Sequence, residues 1–269
     1  MQRILYILSI AFLLAACEVI DPADRLLPVD DVPQSSRRHV LLEFTGFRCV
    51  NCPSAEQTAT QLQSLYADRL IVIALHPASN PFTKGLYDYT CPAADSVYRY
   101  VGGTASTPFP TGCINLAADA EGHYFRDHEL WGAAVLQAMQ DTLCPSLTME
   151  VTLDTLTRRV DARISYSSRD NMRVALWLVE DSVVGPQAMP DGSVQMDYVH
   201  RHVLRTAAFD TPFGVPASAG ATTAAIPLPD GCDAAHCSVV ALLMDATNYQ
   251  ILNAYETKLS TLAALSAKH

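Results

Sequence analysis

Two kinds of hydrophobic patterning divide the chain. In the first part apolar residues come in unbroken runs. His39-Val40-Leu41-Leu42-Glu43-Phe44-Thr45 and the stretch from Leu70 to His76 read as buried strands, because strands covered on both faces lose their alternation. Between them Ala55, Ala59, Leu62, Leu65 and Tyr66 recur at helical spacing. Pro53 starts that helix at little cost, since a first-turn N–H has no helical partner anyway. Pro77 to Pro92 reads as an inserted loop, and a second helix from about Ala93 to Tyr100 ends at Gly102-Gly103. Then come an expected strand (Cys113 to Leu116), a turn (Asp119 to Gly122), a short strand (His123 to Phe125) and a helix from about His128 to Leu143.

After Cys144-Pro145 the period becomes two. Leu147, Met149, Val151 and Leu153 alternate with polar residues, as do Val160, Ala162, Ile164 and Tyr166. Met172 to Val179, Ser238 to Met244 and Ile251 to Tyr255 complete a set of short strands between turn residues. The pattern predicts an α/β domain over 39–144 and an all-β, immunoglobulin-like antiparallel sandwich over 145–269.

The N-terminus has a different character. Arg3 precedes an apolar stretch from Ile4 to Ala16, too short to span a bilayer, that ends in Leu14-Ala15-Ala16-Cys17. This resembles the lipobox of bacterial lipoproteins, which implies that residues 1–17 are a signal peptide with its lipobox cysteine and that Cys17 carries the acyl anchor. Residues 18–38, with Pro22, Pro28 and Pro33 among Asp21, Asp24, Asp30 and Asp31, read as a flexible tether. The expected location is the cell envelope, as an outer-membrane lipoprotein facing either the periplasm or the surface, with the membrane as a partner through Cys17. Composition fits a folded body: 49% of the 269 residues are hydrophobic and 17% charged, which excludes a disordered or fibrous chain. The net charge of −10 comes without a basic run, so nucleic acid is not an expected partner.

The candidate chemistry lies in Cys49-Val50-Asn51-Cys52-Pro53. The order strand, Cys-x-x-Cys, helix puts both sulfurs at a helix N-terminus, whose partial positive charge favours thiolate. Cys49 would attack and Cys52 would resolve the mixed disulfide. Zinc uses the same spacing, but no second Cys-x-x-Cys or Cys/His pair matches it, so no metal and no cofactor are expected. His200 and His202, two apart on an expected strand, are too few for a closed metal site.

The run of strand, Cys49-Val50-Asn51-Cys52-Pro53, helix and strand resembles the thioredoxin fold. That resemblance implies a buried acid at Glu43 that helps deprotonate the resolving thiol. It also implies a cis-proline loop at Phe109-Pro110-Thr111 that offers backbone to a substrate, with Thr107-Pro108 as the competing position. Arg48, where the family usually has an aromatic, and the Val50-Asn51 dipeptide depart from the pattern and leave the redox direction open. A tethered thioredoxin-like domain followed by a β-rich domain with His200-Arg201-His202-Val203-Leu204-Arg205 resembles the Omp28-related outer-membrane lipoproteins of Bacteroidota.

With Cys17 lipidated, an odd number of the eight cysteines is left, so at least one thiol is free or paired outside the chain. Cys232 and Cys237 close a small loop and are expected to form a structural disulfide; Cys91, Cys113 and Cys144 are unassigned. Two functions follow. One is thiol–disulfide exchange with the thiols or disulfides of exported proteins, through Cys49, Cys52, Glu43 and Pro110. The other is a non-enzymatic binding or structural lipoprotein that keeps the fold as a scaffold. The sequence fixes no oligomeric state.

Overall fold

A computed structural model describes residues 37–85, 87–167 and 171–261. Cys17, the signal segment and the tether up to residue 36 lie outside the described residues. The unbroken apolar runs pair with one another. Strands β1 (His39–Phe44) and β2 (Leu70–Leu75) are buried throughout and pair in parallel, from His39↔Leu70 to Phe44↔Leu75. Helix α1 (Cys52–Tyr66) joins them. Helix α2 (Pro92–Tyr100) starts at a proline and ends before Gly102, which has a φ of 83°. Strand β3 (Thr111–Ile114) pairs antiparallel with β1, and helix α3 (Trp131–Ala138) follows.

Ten more strands succeed these: β4 (Leu147–Asp154), β5 (Arg159–Tyr166), β6 (Met172–Glu180), β7 (Val183–Ala188), β8 (Val194–His200), β9 (Val203–Ala207), β10 (Val215–Pro216), β11 (Ala221–Pro227), β12 (Cys237–Asp245) and β13 (Ile251–Lys258). The main sheet runs β13-β12-β6-β9-β2-β1-β3, with β10 added on β6. A second sheet has the order β11-β5-β4, and β7 pairs only with β8.

One sheet runs across the expected boundary near Cys144. The change of period there marks a change of strand character, not a break, because β9 pairs in parallel with β2 at Ala74↔Val203 and antiparallel with β6. The expected immunoglobulin-like sandwich is likewise not a closed unit. Its three-stranded layer, with Val160, Ala162 and Ile164 inward, packs on Val174, Leu176, Leu178, Val239, Ala241 and Leu243 of the main sheet. The molecule is therefore mixed α/β with a β-rich C-terminal region of sandwich-like sheets that shares its larger sheet with the N-terminal half.

Alternation assigns the core. Val40, Leu42 and Phe44 of β1 join Ile71, Ile73 and Leu75 of β2, Trp177 of β6 and Val240 of β12 in one apolar layer, against Val97 and Tyr98 of α2. On the opposite face Leu41, Leu70 and Val72 meet Ala55 and Ala59 of α1 and Trp131 and Val135 of α3.

Two elements differ from their sequence patterns. His123 to Phe125 forms no strand; Arg126 alone bridges to Gly112, with bonds of 3.1 and 2.8 Å. The helix expected to reach Leu143 stops at Ala138, and beyond it Arg37 binds the Asp141 carboxylate and, at 2.9 Å, the Leu143 carbonyl.

Candidate functional site

Residues 45–51 leave β1 and turn back into α1. The turn is fixed by backbone bonds at both ends: Thr45 N–H donates to the Leu75 carbonyl (3.0 Å), Arg48 N–H to that of Phe82 (3.0 Å) and Cys49 N–H to that of Gly46 (2.9 Å). Cys49 ends up one turn before Cys52, the first residue of α1, and the two sulfurs are joined in a disulfide with a Cα–Cα distance of 5.4 Å. Both cysteines are only 2% exposed.

Both belong to the apolar core layer, and the β7–β8 hairpin reaches the same loop. Gln187, itself buried, donates from Nε2 to the Cys49 carbonyl at 2.8 Å. Ala188 N–H donates to the Phe47 carbonyl at 2.8 Å. The hairpin approaches closely because of Gly185, where an added Cβ would fall 1.7 Å from the Tyr89 hydroxyl.

On the α1 side of β1 lies a cluster of ionisable groups. Glu43 sits on the same face of β1 as Leu41, the face covered by α1. It is wholly buried, its Oε1 has no hydrogen-bond partner, and burial followed by the nearby Glu56 raises its pKa well above the carboxylate range. Glu56 shares the α1 face with Cys52, four residues on. Burial pushes its pKa up to about 7, against the opposing pull of a hydrogen bond from Tyr198 and of the Arg201 charge. The Tyr198 hydroxyl donates to Glu56 Oε2 at 3.0 Å. Alongside, the His200 ring meets Tyr198 edge-on (5.0 Å) and Tyr89 at a tilt (4.7 Å), and His76 lies 6.1 Å from His200. Burial lowers His76 to about 3 and His200 to about 4, so both imidazoles are neutral. Neither ring nitrogen of His76 has a hydrogen-bond partner.

The structure brings Cys49, Cys52 and Glu43 to one end of β1. The Phe109–Pro110 peptide is cis, and Phe109 packs on Phe82 and Tyr98, the neighbours of the same loop. His200 and His202 do not share a strand: β8 ends at His200, and His202, at a φ of 56°, lies in the two-residue link to β9. Among the described residues no group of three or more His, Cys, Asp or Glu side chains is placed to hold a metal ion.

Cys232 and Cys237, expected to be bridged, are buried as thiols whose side chains hydrogen-bond to each other; around them Cys232 N–H donates to the Pro229 carbonyl (3.1 Å), His236 N–H to that of Asp233 (2.9 Å) and Asp233 N–H to Glu180 Oε1 (2.7 Å). Cys91 and Cys113 are also buried thiols.

Glu56, Tyr198, Gln187, His76 and Tyr89 escaped the sequence reading. Glu56 alone carried a local signal, its spacing of four from Cys52 on an expected helix.

The family model for outer membrane protein Omp28 matches residues 95–261, more than half of the chain. The chain belongs to the Omp28 family. Membership places this Omp28-family chain in the cell envelope, as an outer-membrane lipoprotein. The matched range starts inside α2, so the Cys49–Cys52 loop and Glu43 precede it. A crystal structure of an Agrobacterium tumefaciens protein has the same fold over 83% of this chain and 95% of its own, at 13% identity and a TM-score of 0.50. A domain of the outer membrane lipoprotein Omp28 from Porphyromonas gingivalis aligns over 44% of this chain and 89% of its own, at 15% identity and a TM-score of 0.32. No curated protein matches the chain. No described helix is long and apolar enough to cross a membrane.

Proposed function

We propose that this Omp28-family chain is anchored through a lipidated Cys17 and exchanges disulfides with exported proteins through a thioredoxin-like site at Cys49 and Cys52. The observation that carries the reading is the disulfide at the N-terminus of α1 with the buried acid Glu43 on the strand below it. A helix N-terminus stabilises the thiolate released when that bond opens. Glu43, whose pKa burial raises, serves in this reading as proton donor to the departing Cys52 thiolate and as its acceptor in reverse. Pro110, in its cis peptide beside Phe82 and Tyr98, supplies the substrate loop.

A second reading has its own support. Two cysteines that are 2% exposed suit a static disulfide in a scaffold lipoprotein. Replacing Cys52 by Ser and searching cell envelopes for mixed disulfides through Cys49 separates the two. Trapped partners are expected from exchange. If nothing is trapped, and the purified wild type neither reduces nor oxidises an unstructured peptide, the scaffold reading takes its place.

A further inference from the structure

The β7–β8 hairpin is attached to the body in an unusual way. It is a two-stranded sheet of its own, outside both larger sheets. Its stems are Ser182 (φ 59°) and His202 (φ 56°), both non-glycine residues in the left-handed region. Such backbone strain collects where a segment has two positions. It meets the redox loop through polar bonds, Gln187 on the Cys49 carbonyl and Ala188 N–H on the Phe47 carbonyl, meets α1 through Tyr198 on Glu56, and meets Tyr89 and His76 through His200. The outward face carries Val184 and Val199, exposed to 65% and 37%, while Gly185 to Gln187 and His200 are buried against the body, so the hairpin is held at its inner face alone.

From this we infer that the Phe47 and Cys49 carbonyls form a docking edge for an extended polypeptide, and that β7–β8 is its resident occupant and cover. The bond from Ala188 N–H to the Phe47 carbonyl is the bond a partner strand would make, and the Gln187 amide takes the second carbonyl. The partner is an extended segment bearing two thiols. The inference rests on the exchange reading for its chemistry but not for its geometry. With the cover lifted, a partner thiolate attacks Cys49 Sγ. The Cys49–Cys52 bond breaks, and Cys52 leaves with the electron pair and takes up a proton. The partner's second thiolate then attacks its own sulfur in the mixed disulfide, releasing Cys49, which is protonated. The partner dithiol is oxidised to a disulfide as Cys49 and Cys52 are reduced to thiols.

The test uses the full chain. Gln187→Ala and Ala188→Pro each remove one bond of the cover and leave both cysteines in place. The rate of Cys49–Cys52 reduction by dithiothreitol, read by alkylation and peptide mass spectrometry, should rise about fivefold for each variant and roughly thirtyfold for the pair, the opening each lost hydrogen bond allows. Rates within twofold of wild type would overturn the cover. Hydrogen exchange on the unmodified protein gives an independent reading. The Ala188 amide should exchange by local opening, well ahead of the β1 amides; exchange only with global unfolding refutes the inference without any variant. An unstructured peptide with two cysteines should reduce the Ala188→Pro protein with saturation, while dithiothreitol stays linear in concentration. A linear dependence for the peptide sinks the docking edge. If Cys52→Ser traps nothing in cells while these rates rise as expected, the exchange reading fails and the cover stands.

Discussion

Glu56 is the group whose charge the site tolerates least easily while still opening to solvent, and Glu56→Gln measures that cost. Burial lifts its carboxyl from an ordinary value of 4.5 to about 7. The folded chain therefore holds the proton more tightly than the unfolded one. The resulting stabilisation is complete below pH 4.5 and is lost as pH rises through about 7. At about 1.4 kcal/mol per pKa unit the shift is worth roughly 3 kcal/mol. Solvent screening of a side chain that is not wholly enclosed reduces this to about 2 kcal/mol. Glutamine cannot ionise, and its amide oxygen still accepts the Tyr198 hydroxyl. The difference in stability between variant and wild type should be flat at low pH and swing by about 2 kcal/mol in favour of the variant by pH 8. Urea unfolding at a series of pH values, followed by the fluorescence of the fully buried Trp131 and Trp177, reads it directly. A difference that does not change with pH refutes the argument. A swing towards the wild type would mean that the Arg201 charge outweighs burial.

Two further predictions concern the frame around the site. Asn115, at a φ of 55°, accepts from Val40 N–H at 2.8 Å through Oδ1 and contacts His39 Nδ1 at 2.9 Å through Nδ2. Asn115→Ala should cost roughly 3 kcal/mol in urea unfolding, from a buried unsatisfied N–H and a left-handed alanine. Glu180 pairs with Arg205 at 3.3 Å and accepts from Asp233 N–H at 2.7 Å, in a site where neither side chain is more than 17% exposed. Glu180→Ala should cost about 3 kcal/mol or more, because the guanidinium is left without its counter-charge. A melting temperature within a degree or two of wild type would show that water replaces the carboxylate.

The legible parts of the fold were those fixed by local pattern. The unbroken runs at β1, β2, β6 and β12 and the helical spacing in α1 and α2 each appeared close to where the residues put them. The union of the two halves into one sheet was not legible, because the backbone pairing that makes it, Ala74 with Val203, joins residues far apart in sequence. Nor was the β7–β8 hairpin. Its value lies in reaching a loop that precedes it by well over a hundred positions. In the site, Cys49 and Cys52 stood out through their spacing at a helix start, and Glu43 through the resemblance to the thioredoxin fold. Tyr198 and Gln187 carry no local signature, since what defines them is the group they meet across the fold.

That single Ala74–Val203 pairing also sets a timetable. As the chain emerges into the envelope N-terminus first, β1, β2 and β3 can assemble early, but the free edge of β2 has no strand to cover it until Val203 arrives. During that interval an apolar parallel edge is open to any other chain. Contacts of such long sequence separation also form slowly. The nascent half is therefore the form most exposed to aggregation, and a chaperone in the same compartment would protect yield more than any gain in the stability of the finished fold.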